Sequence, residues 1–314
     1  MVVQTGAAMN LIDLHKTFKT DDDCLEYLAK LRWPEGVRCA TCGSENIRQY
    51  ISPTKKQPNR KVYECQEPTC HQQFTATSGT IFHDTHLPLT KWFIALSILV
   101  DAKKSISAKQ LQRHLNVGYK TAWYLAHRIR KAMEETGGPL LGGTVEMDET
   151  ILGGHYRHLG RGSGHKNKDI VIGIRQRGGE LRFFHAEDAT SGILAKYIRE
   201  NVSTDVDMIV TDEYPAYPKA MIESGIHGSK HETIRHRDRV YVRGIVHTNT
   251  VESAFSLFKR GIVGSFHRVS IKHLQRYLNE FQYRFNRRDN DDRFEETLTR
   301  MAKAEPMPFD KLTA

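Results

Sequence analysis

The chain has 314 residues, 39% of them hydrophobic, and carries a formal net charge of +9. Such a chain has room for about two domains with buried cores, which excludes wholesale disorder. Its 46 Lys and Arg against 37 Asp and Glu favour a polyanionic partner, nucleic acid above all, although a merely basic soluble protein fits the charge equally well.

No targeting or membrane segment is expected. Residues 1–19 lack the long apolar core of a signal peptide. The longest apolar stretch, residues 92–100, is far shorter than the roughly twenty residues of a membrane helix. We therefore predict a soluble, cytoplasmic protein without a membrane partner. The five cysteines then indicate metal ligands or free thiols rather than disulfides.

After an N-terminal helical segment (residues 1–36), the cysteine spacing predicts a zinc ribbon over residues 37–80. Two close pairs of cysteines can each offer two thiolates to one tetrahedral Zn²⁺. A module this small has too little core to fold without metal. Four unrelated buried thiols are the alternative, and Cys24 is expected to pack as a small hydrophobic residue. The predicted ligands are Cys39, Cys42, Cys65 and Cys70.

Residues 86–136 have the apolar spacing of three short helices. Ser107 and Gln110 have the spacing of a capping box that opens the second helix. A tight turn containing Gly118 separates the second helix from the third. This is the arrangement of a helix-turn-helix, with a purely structural helical bundle as the alternative.

The third of these helices is the predicted DNA-reading element. It would enter the major groove with its N-terminus first and present Lys120, Thr121 and Tyr124. Arg128, further along the same helix, would lie near phosphates.

Short strands dominate from Gly142 onwards, and we predict a catalytic domain over residues 142–295. The order of elements is β-β-β-α-β-α, which is that of an RNase H-like fold. Residues 296–314 are predicted as a C-terminal tail. The whole chain is thus expected to be an α+β multidomain protein. The predicted strands are residues 144–151, 169–175, 180–186 and 207–211, and the helices are 191–200 and 249–261.

Three carboxylates lie where such a fold would gather them, namely Asp148 in the first strand, Asp212 after the fourth and Glu252 on the late helix. Phosphodiester chemistry uses such clusters because two cations about 4 Å apart stabilise the attacking and leaving oxygens. Mg²⁺, or Mn²⁺ in its place, suits oxygen ligands of this kind. The pattern alone does not exclude four competing carboxylates, Glu146, Glu149, Asp188 and Glu213.

The late helix carries a polar face on which Glu252 and Lys259 lie two turns apart. They could bind a metal and a phosphate, or form an ordinary solvated face capped by Asn249. Arg260 is a further candidate for contacting DNA. The basic loop 153–168 is either another DNA contact or a solvated connection. Its candidate residues are Arg157, Arg161 and Lys166.

Six stretches in this order match a known family. The chain resembles insertion-sequence transposases of the bacterial ISXO type, which are related to the Merlin group of eukaryotic DNA transposons. The match extends over residues 25–298. The stretches are CATCG (39–43) with FTATSGT (74–80), KTAWY (120–124) with HRIR (127–130), VEMDET (145–150) with GG (153–154), TDEY (211–214), HTNTVES (247–253) and FQYRFNR (281–287).

The resemblance implies a DDE active site of Asp148, Asp212 and Glu252, with Lys259 contacting phosphate. Some relatives have Asn in the third acidic position, where this chain keeps Glu252. The implied protein binds transposon ends and target DNA as a synaptic homodimer and takes no small-molecule substrate. It would act in the bacterial cytoplasm, at the nucleoid.

Two other functions fit parts of the sequence. One is a metal-dependent nuclease or resolvase that cuts DNA without joining it. The other is a non-catalytic DNA-binding regulator that uses the ribbon and the helix-turn-helix. The regulator leaves the alternating strands and helices after residue 142 without a purpose.

Overall fold

The computed structural model describes residues 9–54, 57–135, 137–152, 169–235, 237 and 242–313. The chain divides into two compact units. The first unit is Met1–Met133 with Asp289–Ala314, and the second unit is Glu134–Arg288. In the described part of the chain, no helix is long and apolar enough to cross a membrane.

The first unit begins with two helices, α1 (Leu11–Thr17) and α2 (Asp21–Arg32). The second begins at a capping box, in which the Thr20 hydroxyl accepts from the Asp23 N–H and the Asp23 carboxylate accepts from the Thr20 N–H. These bonds satisfy two donors that a helix start leaves free. Cys24 is fully buried on α2, as the sequence predicted.

A three-stranded antiparallel sheet follows, in the order β1-β2-β3. The strands are β1 (Ile47–Ile51), β2 (Lys61–Cys65) and β3 (Gln73–Phe74). The Tyr63 and Phe74 rings stack on it with centroids 5.6 Å apart, and the Trp33 ring meets Tyr63 edge-on at 5.3 Å. Because Trp33 follows α2 directly, the small core of this module begins before residue 37.

Three more helices complete this part of the first unit, α3 (Leu89–Asp101), α4 (Ala108–Leu115) and α5 (Tyr119–Ala132). The predicted capping box of Ser107 and Gln110 opens α4. Asn116 then ends α4 in the left-handed conformation, with φ of 49°. The inner face of α5 is apolar and buried, with Ala122, Leu125, Ala126 and Ile129.

The second unit is built on a sheet with the strand order β6-β5-β4-β7-β8. Strands β4, β5 and β6 are antiparallel neighbours, whereas β7 pairs in parallel with both β4 and β8. The last strand is too short to leave an alternating pattern, and the sequence did not predict it. The strands are β4 (Thr144–Leu152), β5 (Asp169–Gln176), β6 (Leu181–Ala186), β7 (Met208–Thr211) and β8 (His231–Thr233).

Helices cover both faces of this sheet. On one face, α6 and α7 bury an aliphatic core against β4, β5 and β7. On the other, α8 and α9 pack through aromatic rings, with Phe183 of β6 stacked on both Phe255 and Phe281. The helices are α6 (Ser191–Asn201), α7 (Ala216–Ser224), α8 (Asn249–Gly261) and α9 (Ile271–Asn286).

The C-terminal residues return to the first unit instead of forming the predicted tail. They contain α10 (Arg293–Lys303) and α11 (Phe309–Thr313), and α10 packs on α2 and α3. The Tyr27 hydroxyl donates to the Glu295 carboxylate at 2.7 Å. The predicted boundary at residue 295 was therefore wrong, because the buried face of α10 belongs to the core of the first unit.

Candidate active site and zinc site

The four predicted zinc ligands converge. All four sulfur atoms lie within 4.8 Å of one another. The sulfurs of Cys39 and Cys70 are 3.7 Å apart, and those of Cys42 and Cys65 are 3.6 Å apart. A tetrahedron with Zn–S bonds of about 2.3 Å has edges of about 3.8 Å. These two edges therefore match a zinc tetrahedron, and each joins one sulfur from each cysteine pair.

The backbone of the first cysteine turn prepares it for a metal. Gly43 adopts φ of 76°, which favours glycine, and its N–H donates to the Cys39 carbonyl at 3.0 Å. Burial raises the pKa of the Cys39 thiol, but N–H donors of Cys42 and Thr41 outweigh it and lower the pKa to about 6. The thiolate, which is the form that binds metal, is thus favoured.

Asp148 and Asp212 lie side by side because β4 and β7 run in parallel. Glu146 is paired with Val210, so the residues two positions further along each chain are neighbours at the same edge of the sheet. The Asp212 carboxylate accepts from the Tyr214 N–H at 3.0 Å, which closes the turn after β7.

Glu252 reaches this edge because α8 lies close to the sheet. Gly173 of β5 is the partner of Asp148, and a Cβ at Gly173 would lie 2.6 Å from the Phe255 ring. Glycine is therefore required for the close approach of α8. The Glu252 carboxylate is held at the start of the helix, where it accepts from the Thr248 hydroxyl at 2.5 Å.

Electrostatics links these three carboxylates. Burial, followed by the negative charges of Glu149, Asp212 and Glu252, raises the pKa of Asp148 to about 8. Bringing a cation into this acidic edge would relieve the repulsion. Among the described residues, only the cysteine group has ligand atoms all within 4.8 Å of one another, so the three carboxylates are neighbours with a wider spacing.

Glu146, a competing carboxylate, has a structural task. It is fully buried, and it accepts from the Thr250 N–H and hydroxyl, both at 2.8 Å, and from the Val251 N–H at 3.1 Å. It thereby caps α8 from the strand. The alternative in which Asn249 caps α8 was wrong, because this residue already lies inside the helix.

Arg177, in the turn between β5 and β6, also binds Glu146 and the residues just before α8. It donates to Glu146 at 2.6 Å, to the Ile245 carbonyl at 2.5 Å and to the His247 carbonyl at 2.8 Å. The sequence indicated only a turn at this position. An arginine beside two glycines gives no sign of partners about seventy residues away.

The other competing carboxylates are also engaged. The buried Tyr217 hydroxyl donates to Glu149 at 2.6 Å, and burial raises the pKa of Glu149. Asp188 accepts from the backbone just before α6, and Glu213 accepts from the backbone of Arg237.

Two residues predicted to contact DNA from α5 face inwards instead. The Tyr124 hydroxyl donates to the Met307 carbonyl at 2.5 Å. Arg128 is only 5% exposed and donates to the carbonyls of Ile81 and His83. These bonds leave neither side chain available for a base or a phosphate.

The remaining candidates are exposed or lie outside the described residues. Lys120 and Thr121 are exposed at the start of α5, and Lys259 and Arg260 are exposed on α8. The loop residues Arg157, Arg161 and Lys166 lie outside the described part of the chain.

Comparison with known families identifies the class of protein that combines a four-cysteine site with this α/β unit. An ISXO2-like transposase domain matches residues 140–286, and a transposase zinc-ribbon domain matches residues 19–73. The chain belongs to the ISXO2-like transposase family, so the predicted resemblance and the zinc ribbon are confirmed. The ribbon match begins ahead of residue 37, in agreement with the packing of Trp33.

A relative supports the same assignment. The chain is 31% identical over 285 residues to an uncharacterized protein in transposable element ISH50 of Halobacterium salinarum, covering 86% of this chain and 92% of that one. Among solved structures, the simian T-cell lymphotropic virus intasome in complex with PP2A regulatory subunit B56 gamma has a chain 14% identical to this one. Its TM-score of 0.29, over 60% of this chain and 64% of that chain, is too low to support a conclusion.

Proposed function

We propose that this transposase binds transposon ends and carries out Mg²⁺-dependent cleavage and strand transfer with Asp148, Asp212 and Glu252. The observation that carries the proposal is the acidic edge of the second unit. There, the parallel pairing of β4 with β7 and the close approach of α8 support three neighbouring carboxylates, and the charges of Asp212 and Glu252 help to raise the pKa of Asp148. Burying neighbouring negative charges costs free energy, and a non-catalytic regulator would gain no activity in return.

The fold supports the same proposal at a finer level. We infer that the second unit is an RNase H-like domain, since its three antiparallel strands are followed by two parallel ones and the acidic helix comes after them. We also infer that α3, α4 and α5 are a helix-turn-helix, with α5 as the helix that enters the major groove.

The chemistry would be two in-line displacements at one site. Divalent cations bound by the three carboxylates would activate the attacking oxygen and stabilise the leaving one. Attack of water on the phosphodiester at the transposon end would break the bond from phosphorus to the 3′ oxygen, leaving a free 3′ hydroxyl and a 5′ phosphate on the flanking DNA. That 3′ hydroxyl would then attack a target phosphodiester, forming a new bond to its phosphorus and releasing the target's own 3′ hydroxyl. The Thr248 hydroxyl, which donates to the Glu252 carboxylate at 2.5 Å, would hold that carboxylate in place. Lys259, exposed two turns further along α8, would contact the phosphate.

The assembly that acts on DNA is proposed to be a homodimer, because a transposon has two ends that must be joined together. Transposon ends and target DNA are the proposed partners. Arg260, on α8, remains a proposed contact with the DNA backbone.

Strand transfer is the test that separates this proposal from a nuclease that only cuts. Pre-cleaved transposon ends with a free 3′ hydroxyl would be incubated with the protein, Mg²⁺ and a circular plasmid. Covalent joining of the ends to the plasmid is the expected result. Cutting at the ends without any joined product would assign the protein to the nucleases.

Replacing Cys65 by Ser should release the zinc and unfold the ribbon locally, because three thiolates bind zinc more weakly and the module has little core of its own. Elemental analysis should find one zinc per chain in the native protein and much less in the variant. Cys24→Ser, at a buried thiol outside the cluster, should keep its zinc. Native protein without zinc would refute the metal assignment.

Changing Thr121 to Ala should alter which end sequences are preferred, because a lost base contact costs about 1–3 kcal/mol at one position. Lys120→Ala should instead weaken the binding of all end sequences alike and make that binding less dependent on salt concentration. Gel-shift titrations over a set of end sequences measure both effects, with Lys131→Ala at the far end of α5 as the control. Unchanged binding in a Lys120–Thr121 double alanine would move recognition away from this helix.

A further inference from the structure

The residues just before α8 form a tight, defined turn with an apolar tip. The Arg243 N–H donates to the Val246 carbonyl at 2.9 Å, and the Val246 N–H donates back to the Arg243 carbonyl at 3.0 Å. Gly244 takes φ of +60° between them. At the tip, the Ile245 side chain is 69% exposed, and Val242, just before the turn, is 52% exposed.

This turn is anchored to the two elements that carry the acidic edge. Val246 is 7% exposed and packs with Val210 and Ile234, and Val210 lies on β7 two residues before Asp212. The Ile245 carbonyl accepts from Arg177, the same side chain that holds the cap of α8. The tip therefore has a fixed position between the strand that leads to Asp212 and the helix of Glu252.

Single exposed apolar residues are common on protein surfaces, but this tip shares its turn with an exposed arginine. Arg243 is two residues from Ile245, its side chain is 62% exposed, and it pairs with Glu232 at 2.6 Å at the surface, where ion pairs are weak. An apolar tip with an exposed arginine in the same turn matches DNA, in which phosphates flank the faces of the bases. Proteins that distort DNA insert side chains such as Ile between base steps.

We propose that Ile245, supported by Val242, is a wedge that contacts unstacked bases of the transposon end next to the phosphate that is cut. The proposal rests on the proposed function, since it concerns DNA held at the acidic edge. Unstacking would open the duplex and bring one strand to the three carboxylates. The fixed turn avoids the entropy loss that a flexible loop would suffer on binding.

A fluorescent base reports the wedge directly. End DNA would carry 2-aminopurine beside the cleavage position, and Ca²⁺ would replace Mg²⁺ so that the DNA is bound and not cut. The wild-type protein should raise the fluorescence, and Ile245→Ala should lose most of the rise with end binding within about twofold of wild type. Ile245→Leu should restore it. Ile222→Ala, at an isoleucine 77% exposed on α7, is the matched control and should behave as wild type.

Cleavage of two substrates in Mg²⁺ gives the second readout. Ile245→Ala should cut a fully paired end about tenfold more slowly but should cut an end with a mismatch at the same step at nearly the wild-type rate. Equal fluorescence and equal cleavage of both substrates would overturn the proposal. Loss of dimer assembly with normal fluorescence would also overturn it and assign the tip to a protein contact. Wild-type protein that cuts neither substrate would instead refute the proposed function.

Discussion

Asp148→Asn is expected to abolish both cleavage and strand transfer while leaving end binding intact. The amide preserves the shape of the side chain but removes the charge that holds Mg²⁺. The cleavage rate should fall by more than the roughly 10–100-fold that follows removal of a residue supporting a metal ligand. Asp212→Asn and Glu252→Gln should behave in the same way, and combining them should add little because the three act as one unit.

Cleavage assays in Mg²⁺ beside gel-shift binding measure this separation. Glu149→Gln is the matched control, because Glu149 is next to Asp148 in the strand but accepts from the Tyr217 hydroxyl, which an amide oxygen can also do. Its activity should mostly survive. Cleavage by Asp148→Asn at near the wild-type rate would show that the triad is wrong.

Glu146→Gln is expected to lower cleavage by roughly 10–100-fold, the usual effect of losing support for a metal ligand. In the variant, the amide oxygen can still accept hydrogen bonds from the start of α8. The amide nitrogen, however, would face Arg177, and two donors cannot form the hydrogen bond that Arg177 donates to the carboxylate at 2.6 Å in the wild type. The helix that carries Glu252 should therefore be held less firmly. We expect a higher Mg²⁺ concentration for half-maximal cleavage and a loss of about 1–3 kcal/mol in unfolding free energy.

Mg²⁺ titrations of the cleavage rate, with thermal unfolding, separate positioning from simple destabilisation. Glu180→Gln removes a glutamate of the same unit that is paired with Arg182 at 3.0 Å and half exposed, and it should change neither quantity much. Glu146→Gln with reduced stability and an unchanged Mg²⁺ requirement would show that Glu146 supports the fold alone.

The sequence predicted best where chemistry restricts the choice of residues. Zinc needs four ligands at short spacing, and the four predicted cysteines proved to be the ones that converge. The predicted strands and the late helix are also present in the structure, since their alternating and helical patterns are long enough to be recognised. The short strand β8 carries no such pattern.

The sequence could not predict roles that depend on partners far away along the chain. Because side chains alternate between the two faces of a strand, Glu146 and Asp148 lie on the same face and the pattern does not distinguish them. Only the folded chain shows that Glu146 meets the start of a helix 104 residues later. Tyr124 and Arg128 have the right types for DNA contact, but their partners Met307 and Ile81 lie in segments whose packing on α5 no local pattern reveals.

The most direct test of the central claim, that Asp148 is a ligand of the catalytic metal, is a change of metal preference. Asp148→Cys replaces a hard oxygen ligand by a thiolate, which binds Mg²⁺ poorly and accepts Mn²⁺ more readily. Cleavage of end DNA by this variant should be lost in Mg²⁺ and recovered in part in Mn²⁺, while the wild-type protein cuts in both. An Asp148→Cys protein that cuts in Mg²⁺ at near the wild-type rate would contradict the claim.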